Sequence, residues 1–216
     1  MAIKSKEVNK INGIDVSHWQ GTIDFKKVKA AGYDFVIIKA GGSDNGRYMD
    51  KKFLINYQNA VAAGLHVGAY YFNGPKCQGG ASGAADAKHF LQILGKLKFD
   101  YPVFCDIEAQ PAVKRIQNTE AAKAFCETME KAGWWVGIYA SDVSGFRSRL
   151  DHSQLTKYTH WVADYTDPVT VCTDHQMRQY TSKGKVPGIS GSVDLDYSLI
   201  DYSATIKKTG LNNYTK

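Results

Sequence analysis

The sequence predicts an α/β chain closed into an irregular barrel, on three observations. Apolar runs of strand length follow a glycine repeatedly through the first two-thirds of the chain. Helix-like stretches separate those runs. After about Leu150 the runs crowd together and leave little room for helices between them.

The first run, residues 14–17, reads Ile-Asp-Val-Ser. The next follows Ala30-Ala31-Gly32 and reads Asp34-Phe-Val-Ile-Ile-Lys39-Ala. Ala62-Ala63-Gly64 introduces His66-Val-Gly-Ala-Tyr70-Tyr-Phe72, and Gly95 precedes Pro102-Val-Phe-Cys-Asp106-Ile-Glu108. Lys131-Ala132-Gly133 introduces Trp135-Val-Gly-Ile-Tyr139-Ala-Ser141. Each glycine stands where a helix would end, because helices commonly stop on a residue in the left-handed conformation that glycine tolerates. The runs are continuous rather than alternating, as in a parallel sheet covered on both faces. Between them, residues 50–63 carry Phe53, Leu54, Tyr57 and Val61 near helical spacing. Residues 81–94 and 119–131 read the same way, the last with Asn118, Thr119 and Glu120 as a helix start. The repeat of roughly thirty residues suits a βαβ unit. Residues 160–165, 175–181 and 192–198 add three strands joined mainly by loops.

Composition narrows the functional classes. The chain of 216 residues is 44% hydrophobic and 22% charged, ordinary for a globular domain and unlike a disordered one. No run of 18 or more apolar residues occurs, so no membrane insertion is expected. The polar start, Met1-Ala-Ile-Lys-Ser-Lys-Glu-Val-Asn-Lys, lacks the apolar stretch of a secretory signal. The expectation is a chain that stays cytoplasmic until released, or a secreted one already trimmed. A net charge of +6 favours polyanions, either nucleic acid or an acidic wall, though solubility alone accounts for it. No RNA-stacking motif, zinc finger or basic helix accompanies the charge, so no nucleic-acid partner is expected. Cys77, Cys105, Cys126 and Cys172 form no C-x-x-C pair and read as small buried hydrophobes. The six histidines look isolated. Neither a metal nor a cofactor is expected.

Reactive groups in such a barrel gather at the C-terminal ends of strands. That rule selects Asp15 in the first strand, Asp106 and Glu108 late in the fourth, and Asp194 and Asp196 in the last. First and last strands are neighbours in a closed barrel, which brings Asp15 and Asp194 together across the seam. Residues two apart on a strand share a side, so Phe104, Asp106 and Glu108 face the barrel while Cys105 and Ile107 face the helices. Two acids in one mouth repel, and burial raises at least one pKa. An acid kept protonated near neutral pH can protonate a leaving oxygen, as glycoside hydrolysis requires. An isolated D-x-E is also a common solvated or salt-bridged pair. Aromatics near strand ends (Tyr70, Tyr71, Phe72, Tyr139, Trp161, Tyr165, Tyr180, with Trp19 after the first strand) suit the faces of sugar rings, and suit core packing as well. Lys39 ends an apolar strand and needs either a carboxylate partner or a substrate contact.

These residues resemble glycoside hydrolase family twenty-five, the Chalaropsis-type lysozymes. The resemblance rests on Gly13-Ile-Asp15-Val-Ser-His-Trp-Gln20-Gly21, Phe35-Val-Ile-Ile-Lys39-Ala, Ala63-Gly-Leu-His-Val-Gly-Ala-Tyr70-Tyr-Phe72 and Asp106-Ile-Glu108. Gly137-Ile-Tyr139, Trp161-Val-Ala163 with Tyr165, Gln179-Tyr180 and Val193-Asp194 follow in the family's order. It implies an irregular TIM-like barrel of about five β/α units followed by three strands with few helices. It also implies hydrolysis of the β-1,4 bond after N-acetylmuramic acid in bacterial peptidoglycan. Asp15, Asp106, Glu108 and Asp194 are the implied catalytic residues, and Lys39, Tyr70, Tyr139, Trp161, Tyr165 and Gln179 the implied substrate contacts. Glu108 is the implied general acid and later base. Asp106 is implied to orient the substrate's N-acetyl group as it attacks the anomeric carbon, and Asp15 and Asp194 to tune Glu108. A direct nucleophile or base at Asp15 or Asp194 is the rival mechanism.

Two positions depart from the family pattern: Tyr71 stands where histidine is frequent, and Asp196 where asparagine is usual. The expected division is an N-terminal extension at 1–12, a catalytic barrel at 13–206, and a C-terminal tail or linker stub at 207–216. A separate wall-binding domain would lie outside this chain. The alternatives are a chitinase-like glycosidase and a non-catalytic wall-binding module. The first expects acids two and five residues before Asp106, where Phe104 and Tyr101 stand, and the second usually lacks the acid.

Overall fold

A computed structural model describes residues 10–215. The first two-thirds alternate strand and helix as the glycine punctuation predicts: β1 (Ile11–Val16), α1 (Phe25–Ala30), β2 (Phe35–Gly42), a short β3 (Tyr48–Met49), α2 (Phe53–Ala62), β4 (His66–Phe72), α3 (Gly80–Leu94), β5 (Val103–Asp106), α4 (Arg115–Lys131) and β6 (Val136–Ser141). The last third supplies β7 (Thr159–Ala163), β8 (Met177–Gly184), β9 (Val193–Ser198) and a closing α5 (Ser203–Thr209). The strands form one sheet in the order β1-β9-β8-β7-β6-β5-β4-β2-β3, and β1 also pairs with β2. That pairing closes a ring of eight strands with β3 appended to the end of β2. β1, β2 and β4 to β8 run parallel, whereas β9 is antiparallel to both its neighbours.

Side-chain alternation explains the two cores. From β2, Phe35 and Ile37 point into the barrel, where Tyr101, Phe104, Tyr139, Trp161 and Met177 join them. Val36 and Ile38 point outward, into a larger layer that includes Cys105, Ile107, Phe90 and Phe125. The expected split of β5 is therefore the one observed. The interior aromatics fit because the strands beside them carry glycine. A Cβ at Gly13 would lie 2.2 Å from the Phe35 ring, and one at Gly137 would lie 2.5 Å from Phe104. All four cysteines are free and buried, in keeping with their reading as small hydrophobes. Among the described residues no helix is long and apolar enough to cross a membrane.

Three expectations need correction. β1 opens at Ile11, inside the expected extension 1–12, whose residues 1–9 lie outside the described range. α4 begins at Arg115, not at Thr119: the Thr119 hydroxyl donates to the Arg115 carbonyl one turn back (2.8 Å), so it satisfies itself within the helix instead of capping it. Residues 207–215 do not leave the barrel as a polar stub. Lys207 lies within α5, and Tyr202, Ile206 and Leu211 join the interior core. The buried Asn212 donates to the Tyr101 carbonyl (3.0 Å) and accepts from the Trp135 amide (2.7 Å). Tyr101 and Trp135 precede β5 and β6, so this segment plugs the N-terminal end of the barrel and leaves the other end open.

Candidate active site

The open end gathers the acids. Asp15 lies near the end of β1, and Asp106 closes β5 with Glu108 two residues on. Because β9 runs antiparallel, its start reaches the same end, and Asp194 sits in register opposite Asp15. A narrow cleft of about 90 Å³ is lined by Asp15, Tyr70, Asp106, Glu108, Tyr139, Trp161, Gln179 and Asp194. Eight of the ten residues singled out from the sequence thus meet in one place. A wider groove continues from it past Glu108 and Tyr139 to Ser141, Ser144 and Tyr165.

Gln179 organises one wall. Its side-chain oxygen accepts from the hydroxyls of Tyr139 (3.1 Å) and Tyr165 (2.8 Å), which leaves its NH₂ to donate to the Asp15 carboxylate (2.7 Å). Two phenols thereby set the amide orientation that holds Asp15. Trp161 forms the floor, with its ring 4.5 Å from that of Tyr139 and 5.1 Å from Phe104. Its indole N–H donates to the fully buried Asp196 (2.8 Å).

Burial dominates the electrostatics. It pushes the Asp15 carboxyl well above the ordinary range, and the neighbouring Asp196 and Asp194 push it further, against the Gln179 hydrogen bond. Asp196 is raised well above that range by burial and by Asp194, against the Trp161 bond. Burial and then the charge of Glu108 raise Asp106, and Lys39 works in the other direction. Glu108 is raised by burial, while Lys39 and Arg149 draw it down. Asp194 is pushed up to about 6 by burial and by repulsion from Glu108. With so many acids and only remote cations, the cleft retains protons toward neutral pH. Two buried carboxylate oxygens, Oδ1 of Asp106 and Oδ2 of Asp196, have no hydrogen-bond partner among the described residues.

The remaining residues fall outside the cleft. Lys39 is buried and makes no ion pair with a described residue. Its ammonium lies 4.4 Å from the centre of the Phe72 ring and acts on Asp106 and Glu108 through space. Tyr165 borders the groove and reaches the cleft through Gln179. Tyr71 faces outward, packed on Phe90 and Phe125, as alternation from Tyr70 requires. Tyr180 pairs with Tyr197 away from the acids, and Trp19 is 80% exposed. Arg149, which acts on Glu108, was not foreseen, because it lies in a loop with no motif around it.

The profile of the family described as glycosyl hydrolases family 25 matches residues 14–189, which include Asp15, Asp106 and Glu108. The chain belongs to glycosyl hydrolase family 25. Asp194 lies just beyond the matched span. Lysozyme M1 of Streptomyces globisporus is 31% identical over 204 residues, covering 85% of this chain and 66% of the relative. The autolytic lysozyme of Clostridium acetobutylicum is 28% identical over 190 residues, covering 86% and 55%. The chain therefore spans about two-thirds and about half the length of these two relatives. Among solved structures, the bacterial lysozyme of Streptomyces coelicolor superposes with a TM-score of 0.76 at 29% identity, covering 95% of this chain and 98% of that one. This family 25 barrel thus holds its acids at the open end of a fold it shares with lysozymes.

Proposed function

We propose that the chain is a peptidoglycan hydrolase cleaving the β-1,4 bond between N-acetylmuramic acid and N-acetylglucosamine, with retention and with help from the substrate's own N-acetyl group. The observation that carries this reading is the pairing, in one cleft, of a protonatable Glu108 with a buried Asp106 oxygen that has no partner. An acetamido N–H is a donor suited to that oxygen. Once so held, the acetamido carbonyl oxygen attacks the anomeric carbon while Glu108 gives its proton to the bridging oxygen and the glycosidic bond breaks. Glu108, now ionised, takes a proton from water, whose oxygen opens the cyclic intermediate from the face the leaving group left. Two inversions give retention, one of the exceptions to a simple two-carboxylate scheme. Asp15 is already held by Gln179 and crowded by Asp196, which suits a supporting role better than that of a nucleophile. Tyr165 borders the sugar groove, Tyr70, Tyr139 and Trp161 line the cleft beneath it, and Lys39 biases the acids from behind.

The partner in this reading is the bacterial cell wall, reached on release from the cytoplasm or after secretion. A separate wall-binding domain outside these residues is compatible with the greater length of the two curated relatives. A chitinase-like mechanism would need acids at 104 and 101, where Phe104 and Tyr101 instead fill the barrel interior.

Glu108→Gln tests the assignment, since it keeps the shape and removes the proton. Lysis of purified walls should fall by roughly 10²–10⁴-fold while wall binding persists. A variant that lyses like the parent would show that another group protonates the leaving oxygen.

A further inference from the structure

On the outer face of β7, opposite the wall that carries Trp161 into the cleft, four side chains from three segments converge. His152 comes from the connection between β6 and β7, His160 from β7 itself, and Cys172 and Asp174 from the loop that leads to β8. They lie too far apart in sequence to form any metal-binding spacing, and the histidines look isolated until the chain folds. We propose that His152, His160, Cys172 and Asp174 form a structural zinc site that clamps these two connections to the barrel wall.

Geometry is the first argument. One ligand atom from each residue lies within 4.8 Å of all the others. His152 Nε2 is 3.3 Å from His160 Nδ1 and 3.1 Å from Asp174 Oδ1. His160 Nδ1 is 3.5 Å from the same carboxylate oxygen. Cys172 Sγ is 3.8 Å from both His152 Nε2 and Asp174 Oδ1. A tetrahedral zinc with ordinary bond lengths sets edges of ~3.3 Å between nitrogen or oxygen ligands and ~3.6 Å to sulfur. Five of the six edges lie within a few tenths of an ångström of those values, and the sixth, Cys172 Sγ to His160 Nδ1, lies within 4.8 Å.

The surroundings are the second argument. The other ring nitrogen of His160, Nε2, lies 3.1 Å from the Leu155 carbonyl. That carbonyl can only accept, so the proton sits on Nε2 and the lone pair of Nδ1 faces the other three groups, the usual outer support of a histidine ligand. Nδ1 of the fully buried His160 brings no proton and offers only its lone pair, and a thiol at 3.8 Å is a weak donor. Phe146 packs its ring 5.4 Å from His152 and 5.3 Å from His160, walling off one side. The Cys172 amide donates to the Asp142 carboxylate (2.8 Å), which anchors the ligand loop from behind.

Ligand chemistry selects the ion. One thiolate, two imidazoles and one carboxylate in tetrahedral array favour zinc over the hard, oxygen-seeking cations. Cys172 loses its proton to solvent as the sulfur–metal bond forms. Thiolate and carboxylate then balance the two positive charges of the ion, so the half-buried site is neutral. All four positions are filled by protein, which is the closed set of a structural site and not the open set of a catalytic one. The loop so clamped carries Tyr165 into the groove, 55% exposed.

The test uses the full chain, stripped with chelator and dialysed. Adding zinc should give one bound ion per chain and raise Tm by roughly 5–10 °C. Cobalt(II) in its place should give the intense d–d bands of a tetrahedral ion together with a thiolate-to-cobalt charge-transfer band. His152→Gln, at a partly exposed position that the core can spare, should lose the zinc-dependent rise in Tm. Cys172→Ser should lose the charge-transfer band. The proposal is overturned if the stripped parent takes up no stoichiometric zinc. It is equally overturned if cobalt shows only weak octahedral bands, or if the charge-transfer band persists in Cys172→Ser.

Discussion

Replacing Asp196 with asparagine should stabilise the fold at neutral pH and leave it almost unchanged in acid. Asp196 is fully buried, with one oxygen accepting from the Trp161 indole and the other, Oδ2, lacking a donor beside the equally buried Asp15. Burial and mutual repulsion raise both carboxyls well above the ordinary range, so the folded pair holds a proton to higher pH than the unfolded chain does. The sign follows from linkage. For an acid whose folded pKa is raised, stability is complete below the unfolded value and is lost as pH rises through the folded one. Each pH unit above ~3.9 over which the fold retains that proton costs ~1.4 kcal/mol of stability. The asparagine carbonyl preserves the acceptor for Trp161, and its NH₂ gives Asp15 a second amide donor beside Gln179. Asp15 can then ionise at a residual burial cost, and relief of the buried acid pair gives a gain of about 2–3 kcal/mol. At this chain length that is a rise in Tm of roughly 4–12 °C. Calorimetry of parent and variant at pH 4 and pH 7 reads the effect. Equal stabilisation at both values, or destabilisation at pH 7, would refute the reasoning.

Two further outcomes follow from the same geometry. Lys39→Met should move the basic limb of the activity–pH profile upward, because the ammonium holds down the Glu108 and Asp106 carboxyls and its loss keeps Glu108 protonated to higher pH; an unmoved limb in kcat/KM would separate Lys39 from the acid. Gly137→Ala should destabilise by about 1–3 kcal/mol in urea titration, since the added methyl falls 2.5 Å from the Phe104 ring and 2.6 Å from the Thr159 carbonyl oxygen.

Much of this was legible in the sequence where one local rule governs. Continuous apolar runs marked the parallel strands because both their faces are covered, by interior aromatics such as Phe104 and by helix residues such as Phe125. The two-residue period placed Asp106 and Glu108 on one side, and closure of the ring placed Asp15 beside Asp194. What escaped depends on distant parts of the chain. Polar residues after Lys207 read as a tail because nothing local reveals that Asn212 serves the backbone of Tyr101 and Trp135. Thr119 looked like a cap because a hydroxyl that bonds to its own preceding turn has the same sequence signature. Tyr71 and Tyr180 looked like candidates for the mouth because counting aromatics near strand ends ignores which face each one takes. His152, His160 and Cys172 meet only after two loops fold onto β7, so no spacing announces them.

The proposed reaction breaks the bond on the reducing side of muramic acid. Mass spectrometry of purified walls, digested and then reduced with borohydride, reads which sugar carries the new end. Reduced N-acetylmuramic acid is the expected product, absent from the Glu108→Gln digest. Reduced N-acetylglucosamine, or no new reducing end at all, would contradict the assignment.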